Sequence, residues 1–372
     1  MEMFDPLSLE MDSEEILGRL KAWVECESPS WDANAVNRMA DLVGRELATL
    51  GAKVDRIKVE GFGDALRASL PHADSGAPGI CILGHLDTVH PIGSMSWRRD
   101  GDVCYGPGIL DMKGGCLLAV EALRSLARKK VGTTLPVTIL FTSDEEVGSG
   151  GCRPLIEAEA LKNKYVLVPE PARADGSLVQ GRHAVARFRL RAEGRAGHAG
   201  HRAASSVSAI REMAGRVAVL EDLSTPEAYC RVGVIQGGKW VNCVPTRCDA
   251  ELLVVAETPE YLDSLVCRIR KELANGTFHL EAGPFRPFWL PDPQGNPILA
   301  EARAIAGRLG IEIDAVVSGG GSDGNFTGHL GVPTLDGLGP RGNYLHTMQE
   351  HIVVDSLAER GRLLAGLLSR LR

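Results

Sequence analysis

The sequence predicts an α/β fold in which helices cover a layered sheet, with a ferredoxin-like unit inserted into it. Short β-like runs alternate with helical segments through the first half of the chain. A βαββαβ order follows over residues 184–282, and a helix resumes after the proline-rich stretch 284–297. The expected domains are therefore residues 1–178 together with 288–372, and the inserted residues 179–287.

Two amphipathic helices are predicted at the start of the chain. Apolar residues recur at helical spacing between positions 13 and 50, and Ser28-Pro29-Ser30 interrupts the pattern. The segments that follow are strands at 52–58, 65–70 and 80–83, a helix at 114–128 and a strand at 136–142.

The inserted unit begins with a strand that has one wet face. Apolar residues between positions 184 and 192 alternate with Arg187, Arg189 and Arg191, which is the period of a half-exposed strand. The remaining predicted elements are a helix from about 204 to 220, strands near 229–236 and 246–256, a helix at 259–273, a strand at 277–282, and a helix at 298–309 that resumes the first domain.

The composition is that of an ordinary soluble globular protein. Hydrophobic residues make up 44% and charged residues 24%, which argues against disorder and against a membrane protein. No apolar run reaches bilayer length. The net charge is -7 and the arginines are scattered, so no basic stripe favours nucleic acid. We expect neither a nucleic-acid nor a membrane partner.

The first residues and the cysteines predict a cytoplasmic location. The start, MEMFDPLSLEMDSEE, is acidic and lacks the basic and apolar regions of a signal peptide. The nine cysteines form no C-x-x-C pair and lie mostly in apolar segments, as Cys81, Cys116 and Cys267 do. We expect reduced, buried thiols.

Five segments carry acidic and imidazole side chains that a hydrophobic core would reject. Most of them follow a predicted strand or turn, and ligands bind at strand ends in open α/β sheets. The segments are GHLDTVHP (84–91), GPGILDMKGG (106–115), TSDEEVGSGG (142–151), VPEP (168–171) and LHTMQEH (345–351).

Together these segments predict a divalent metal centre. Carboxylates held close in a partly dry site repel one another, and a cation among them removes the repulsion. Imidazole and carboxylate ligands without cysteine suit zinc, cobalt or manganese. Two histidines and several carboxylates are enough for two metals that share one carboxylate.

Spacing distinguishes the histidines of GHLDTVHP. Residues two apart share a face of an extended chain, so Asp87 can accept the hydrogen of the second ring nitrogen of His85, the candidate ligand. His90 has the opposite parity and is predicted to be a pocket-rim or structural residue. Taken alone, the H-x-D pattern is more typical of a strand-end histidine capped by a turn aspartate than of a metal ligand.

Glu145 and Glu146 are adjacent, so their side chains point apart and can take different roles. One can bind metal while the other accepts a proton from a metal-activated water. Alone, this segment would be a solvated acidic turn, and the glycines around Asp111 would be a turn before a helix. The presence of all the segments favours the metal centre.

These segments, together with ESPSWDANAVNRMADLV, GRAGHAG and GGGSDGNF, resemble the zinc-dependent metallopeptidase family that contains glutamate carboxypeptidase, aminoacylase, acetylornithine deacetylase and succinyl-diaminopimelate desuccinylase. The bacterial glutamate carboxypeptidase branch is the most similar, and the resemblance spans nearly the whole chain. It implies a zinc-exopeptidase-like α/β/α catalytic domain, whose inserted ferredoxin-like βαββαβ domain serves as lid and forms a homodimer.

The resemblance implies two metal ions, zinc by preference, with Asp111 bridging them. His85 and Glu170 would complete one site, and Glu146 and His346 the other. The peptide bond after the bridging aspartate is commonly cis in the family.

The resemblance also assigns the reacting groups. Glu145 would be the general base, and Asp87 would orient His85. His198 of GRAGHAG would come from the second subunit to bind the carbonyl oxygen as it becomes an oxyanion. Without the resemblance, His198 would be a surface histidine in a glycine-rich turn. His201 has no family counterpart and is expected at the surface.

Further substrate contacts are expected from Asn242 of VNCVP and from the backbone of Gly319, Gly320 and Gly321. Without the resemblance Asn242 would be an ordinary turn residue. The glycine run lacks the G-K-[ST] ending of a phosphate loop, so we interpret it as a close backbone approach to the ligand.

One departure from the family leaves the substrate open. An arginine that binds the substrate α-carboxylate in many relatives is matched here by Leu253, and leucine cannot replace a bidentate guanidinium. Arg247, Lys239 or Arg341 could supply the charge. The expected substrate is a small-molecule amide, peptide-like or an N-acyl amino acid. The alternatives are a hydrolytic deaminase or amidase of an unusual small molecule and a non-catalytic metal-binding dimer.

Overall fold

The computed structural model describes residues 5, 8–200, 205–274 and 277–372. Two compact units divide the chain. The larger unit comprises Met1–Gly181, Trp289–Val317 and Ser322–Arg372, and the smaller unit comprises Arg182–Phe288 and Ser318–Gly321.

A mixed six-stranded sheet forms the centre of the larger unit. Its order is β1-β2-β6-β3-β7-β14. The strands are β1 (Lys53–Ile57), β2 (Ala65–Ser69), β3 (Ile80–His85), β6 (Val137–Thr142), β7 (Tyr165–Leu167) and β14 (Thr334–Leu335). β3 pairs in parallel with both β6 and β7, whereas β1 and β2 complete the sheet with antiparallel pairing.

Helices cover both faces of this sheet. Along β3, Ile80 and Ile82 belong to the main core, while Cys81 and Leu83 belong to a second cluster. The helices of the main core are α1 (Ser13–Glu25), α2 (Ala33–Thr49), α3 (Gly114–Arg128), α7 (Pro297–Leu309) and α9 (Ser356–Arg370), and those of the second cluster are α4 (Arg153–Ala160) and α8 (Gly324–His329). The predicted α/β class is confirmed.

Aspartates start the first two helices. The Asp12 carboxylate accepts hydrogen bonds from the backbone N–H groups of Glu14 and Glu15, at 2.8 and 2.9 Å. Asp32 caps the second helix through the N–H of Ala35, at 2.9 Å. These side chains satisfy donors that have no partner within a helix, which explains where the two helices begin.

Six short strands complete the larger unit, and the sequence pattern predicted none of them. β4 (Arg98–Asp100), β5 (Val103–Tyr105), β15 (Gly342–Asn343) and β16 (His351–Val353) form a sheet of order β15-β16-β5-β4, while β8 (Leu178–Arg182) pairs with β13 (Ala315–Ser318). Most contain two to four residues, too few to show a period.

The smaller unit is an antiparallel sheet of order β10-β11-β9-β12 with two helices. Its chain order is β9 (Ala184–Glu193), α5 (Ala209–Glu221), β10 (Ala228–Gly237), β11 (Arg247–Ala256), α6 (Pro259–Glu272) and β12 (Phe278–Arg286). Phe188 and Leu190 are buried in its core, whereas Arg189 and Arg191 are exposed. This connectivity and strand order are ferredoxin-like.

Two predicted boundaries in this unit were wrong. The helix expected from about residue 204 starts at Ala209, because the Ser208 hydroxyl caps it and Val207 instead bridges to Arg195. Residue 204 itself lies outside the described residues, as does His201. The last strand continues to Arg286, because Gly283 is accommodated in a register shift rather than ending the strand.

Cys81 and Cys116 are buried as predicted, but the burial predicted for Cys267 was wrong: it is exposed on the outer face of α6. None of the described helices combines the length and apolar character needed to cross a membrane.

Candidate metal centre

Three parallel strands deliver acidic and histidine-bearing segments to one edge of the larger unit's sheet. β3 ends at His85, β6 ends just before the Glu145-Glu146 turn, and β7 ends before Glu170. β6 and β7 flank β3. Because the carboxyl ends of neighbouring parallel strands lie at the same edge, side chains distant in sequence meet there.

Asp111 reaches this edge from the irregular segment Ile109–Lys113, which leads into α3. The backbone at Asp111 and Met112 is not helical, and the peptide bond between them is cis, as the resemblance predicts. Asp111 is buried, with 9% of the whole residue exposed.

The Asp111 carboxylate lies between two imidazoles. Its Oδ1 atom is 3.1 Å from His85 Nε2, and its Oδ2 atom is 3.0 Å from His346 Nε2. Each oxygen therefore faces a different histidine, which is the arrangement needed by a carboxylate that bridges two cations.

Further carboxylates stand beside each imidazole. Glu170 Oε1 is 3.7 Å and Glu145 Oε2 is 3.9 Å from His85 Nε2. Glu146 Oε2 is 3.1 Å from His346 Nε2. Ligand atoms of His85, Asp111 and Glu146 all lie within 4.8 Å of one another.

The electrostatics reflect this crowding. Hydrogen bonds with Asp111 and Glu146 raise the pKa of His346 to about 11. Burial and the Asp111 charge raise the pKa of Glu146 to about 8, and the same two causes raise the pKa of Glu170 well above its usual range.

The pKa of His85 is also raised well above its usual range. Burial acts against the imidazolium, but hydrogen bonds with Asp111 and Asp87 outweigh it. Buried carboxylates here stay ionised only beside positive charge, which protonated histidines or divalent cations can supply. The oxygen and imidazole nitrogen donors fit hard or borderline divalent metals, so the residues present suit such ions.

Asp87 contacts the Glu145-Glu146 turn as well as His85, whereas the sequence predicted only the contact with His85. Its backbone carbonyl is 2.9 Å from His85 Nδ1, closer than its carboxylate Oδ1 at 3.4 Å. The carboxylate instead accepts the backbone N–H groups of Glu145 and Glu146, each at 3.2 Å, and the Ser30 hydroxyl at 2.7 Å. Asp87 therefore fixes both His85 and the glutamate turn.

The Glu170 segment is held by close backbone contacts. A Cβ atom added to Gly115 would lie 1.7 Å from the Pro169 carbonyl oxygen, so only glycine lets α3 approach this closely. On the other side, the Gly339 N–H donates to the Glu170 carbonyl at 2.8 Å. Arg360, which is fully buried, donates in turn to the Gly339 carbonyl at 3.0 Å.

His90 is buried and paired rather than placed at a pocket rim. Its Nε2 atom is 2.6 Å from Glu350 Oε2. Sequence spacing did not predict the contacts of Glu350, Arg360 and Ser30. The glutamate inside LHTMQEH was a signal for Glu350, whereas the sequence did not distinguish Arg360 from the other charged residues of α9, which include Glu359, Arg362 and Arg370.

The predicted residues of the smaller unit form a second group. The Ala199 N–H donates to the Asn242 carbonyl at 2.9 Å, and His198 bridges to Cys243. His198 and Asn242 are exposed, and His198 Nδ1 accepts the Gly200 N–H at 3.1 Å. The smaller unit therefore brings the two predicted substrate contacts side by side.

Gly319, Gly320 and Gly321 also belong to the smaller unit. Arg182 donates to the Gly320 carbonyl at 2.7 Å. A Cβ at Gly321 would come within 2.6 Å of the Arg286 side chain, so packing accounts for this glycine.

Leu253 lies on β11 directly between two arginines. Its register partners are Arg187 on β9 and Arg231 on β10. Arg247, a candidate replacement for the missing arginine, is paired with Asp249 at 2.5 Å. Positive charge therefore flanks the leucine from both neighbouring strands.

Comparison with known proteins gives concordant results. Residues 81–370 match the family model described as "Peptidase family M20/M25/M40". Carboxypeptidase G2 of a Pseudomonas species is 27% identical over 371 residues, covering 95% of this chain and 88% of the relative. Succinyl-diaminopimelate desuccinylase of an Azoarcus species is 27% identical over 346 residues, covering 85% and 88% respectively.

The fold has close structural counterparts. The crystal structure of human carnosine dipeptidase 1 superposes with a TM-score of 0.78 at 16% identity, covering 96% of each chain. The family match spans well over half of this chain. The protein is thus a hydrolytic metalloenzyme, and it belongs to peptidase family M20/M25/M40.

Proposed function

We propose that the protein hydrolyses an amide bond of a small molecule, peptide-like or an N-acyl amino acid, using two divalent metal ions. The observation that carries the proposal is the Asp111 carboxylate, whose two oxygens face His85 and His346 at 3.1 and 3.0 Å. Asp111, His85 and Glu170 would hold one ion, and Asp111, Glu146 and His346 the other. Zinc is the first candidate by family resemblance, followed by cobalt and manganese.

Ions held by these residues would polarise the amide carbonyl and lower the pKa of a water molecule. Glu145 would act as the general base; in support of this role, it is 8% exposed and its carboxylate lies 3.9 Å from His85 Nε2. It would accept the water proton and deliver it to the leaving amine. Asp87 holds the Glu145 backbone, so the base is fixed before the substrate binds.

The smaller unit has the remaining proposed roles. Residues 179–287 would form the dimerisation and lid domain, and residues 1–178 and 288–372 the catalytic domain. His198 of the partner subunit would donate a hydrogen bond to the developing oxyanion, while Asn242 and the backbone of Gly319–Gly321 would contact the substrate. We place the protein in the cytoplasm.

Leu253 supports a second substrate class. If no arginine replaces the missing guanidinium, the same chemistry would act as an amidase or hydrolytic deaminase on a molecule without an α-carboxylate. The flanking Arg187 and Arg231 favour the first class, because their register places both beside Leu253.

The test is a chelation and reconstitution assay. Protein stripped of metal and reloaded with zinc, cobalt or manganese is assayed on N-acyl amino acids, dipeptides and aryl amides, the last without a carboxylate. The proposal expects metal-dependent hydrolysis in at least one class, and the class identifies the substrate. Metal-loaded protein that is inactive on every amide would contradict the proposal and favour a non-catalytic metal-binding dimer.

A further inference from the structure

A buried histidine–glutamate pair lies behind the candidate ligands and belongs to none of the proposed metal sites. His90 is 4% exposed and Glu350 is 1% exposed, and their side chains meet at 2.6 Å. Burying two ionisable groups is costly unless their hydrogen bonds are satisfied, so such a pair calls for a physical reason.

We propose that His90 and Glu350 are positioning residues that fix the distance between the His346 segment and Asp111, and thereby set the affinity of the metal site formed by Asp111, Glu146 and His346. The inference rests on the proposed function, because it concerns the same metal centre.

Glu350 holds the backbone of Asp111, the proposed bridging aspartate. Glu350 Oε1 accepts the N–H of Leu110 at 2.9 Å and the N–H of Asp111 at 3.1 Å. One carboxylate oxygen therefore holds two consecutive peptide groups, including that of Asp111. Backbone N–H groups bonded to a carboxylate are strong, directional contacts, so the Asp111 main chain is fixed relative to Glu350.

Internal hydrogen bonds fix the turn between His346 and Glu350. The Thr347 hydroxyl donates to the Tyr344 carbonyl at 2.8 Å, and the Gln349 N–H donates to the Thr347 hydroxyl at 3.1 Å. The Glu350 N–H closes the turn on the Thr347 carbonyl at 3.1 Å. Because these bonds fix the turn internally, anchoring Glu350 also anchors His346.

The second carboxylate oxygen of Glu350 links it to the segment that follows β3. Glu350 Oε2 faces His90, five residues beyond His85 in the segment that follows β3. Oε1 already accepts two N–H groups, and an ionised carboxylate offers only acceptors, so His90 Nε2 donates this hydrogen bond. The pair thus connects the His85, Asp111 and His346 segments.

The burial of the candidate ligands explains why His346 should be the first to move when Glu350 is lost. Its side chain is 52% exposed, whereas the side chains of Asp111 and Glu146 are 12% and 4% exposed. His346 also has a positive φ of 60°, which is uncommon for a residue other than glycine, so the hydrogen bonds of the turn help to hold it in this conformation. Losing the Glu350 anchor releases the least buried ligand.

The experiment measures metal binding by equilibrium dialysis with zinc and by the visible spectrum of the cobalt-loaded protein. For Glu350→Ala, the affinity for the weaker ion should fall about 10- to 100-fold, the range typical of lost ligand support, while the other ion is retained. The cobalt spectrum should change with it. Glu350→Gln should recover most of the affinity, because its amide oxygen can still accept both backbone N–H groups.

His90→Phe keeps Glu350 but removes the hydrogen bond to its Oε2 atom, so it should show an intermediate loss. Gln349→Ala is the matched control, since that residue is exposed in the same turn and should bind both ions like the unaltered protein. If Glu350→Ala does not fold, as judged by circular dichroism of the metal-free protein, Glu350→Gln and His90→Phe provide the comparison with Gln349→Ala.

The two proposals fail in different ways. Unaltered protein that binds no pair of ions overturns the proposed function. Unaltered protein that binds two ions, with unchanged affinities and cobalt spectra in Glu350→Ala and His90→Phe, overturns only the positioning role. A Glu350→Gln variant as defective as Glu350→Ala also overturns it, because geometry would then not be what Glu350 supplies.

Discussion

Replacing Arg360 with methionine tests how the Glu170 segment is held. Arg360 is fully buried and donates to three carbonyls, those of Gly339, Gly176 and Gly337, at 3.0, 3.1 and 2.5 Å. Methionine fills similar volume without a donor, so the three buried carbonyls lose their partner.

Two opposing contributions set the expected change in the free energy of unfolding of Arg360→Met. Hydrogen bonds from a charged donor contribute about 1.5–3 kcal/mol each, or roughly 5–9 kcal/mol for three. Burial lowers the pKa of Arg360 to about 10. Against an ordinary value near ~12.5, this corresponds to a desolvation cost of roughly 3 kcal/mol. We therefore expect Arg360→Met to lower the free energy of unfolding by at least about 2 kcal/mol.

The assay is urea unfolding of the metal-free protein, followed by zinc titration. The matched control is Arg303→Met: the Arg303 side chain is 52% exposed and pairs with Asp314, so its loss should cost less than about 1 kcal/mol. Because Gly339 holds the Glu170 backbone, Arg360→Met should also weaken zinc binding. Equal unfolding free energies for the two variants would refute the reasoning.

Two further predictions concern metal binding and packing. The pKa of His346 is raised to about 11 and that of Glu146 to about 8, so metal must displace protons from these groups at neutral pH. The zinc affinity, measured by calorimetry, should therefore rise between about pH 6 and 8. An affinity that does not change with pH would contradict this prediction. Gly115→Ala places a methyl group against the Pro169 carbonyl and should destabilise the protein by about 1–3 kcal/mol in thermal unfolding. The control Gly132→Ala has open space around it and should not destabilise the protein. Equal melting temperatures for the two variants would exclude the clash.

The local elements were predictable because each depends on neighbouring residues. Helical spacing located α1 and α2, and alternation located β9. The start of α5 was misplaced because Val207 bridges to Arg195, a contact between separate segments that local spacing cannot show. Cys267 was misjudged because an apolar neighbourhood in sequence does not specify which helix face is covered.

At the candidate site, the sequence indicated the side chains that can bind metal, since imidazoles and carboxylates in a core are unusual. It could not indicate which atoms meet. The Asp87 carbonyl, not its carboxylate, is nearest to His85 Nδ1, and Glu350 holds the Asp111 backbone from far along the chain. Backbone contacts of this kind depend on tertiary geometry and leave no residue pattern.

In the proposed mechanism, Glu145 moves the proton while other residues hold the metal. The most direct measurement compares metal content and turnover of Glu145→Gln with those of the unaltered protein and of Glu157→Gln, a partly exposed control on α4. We expect Glu145→Gln to bind the same number of ions while kcat falls by about 10²- to 10⁴-fold, as for the loss of a general base. Unchanged turnover in Glu145→Gln, or loss of its metal, would contradict the account.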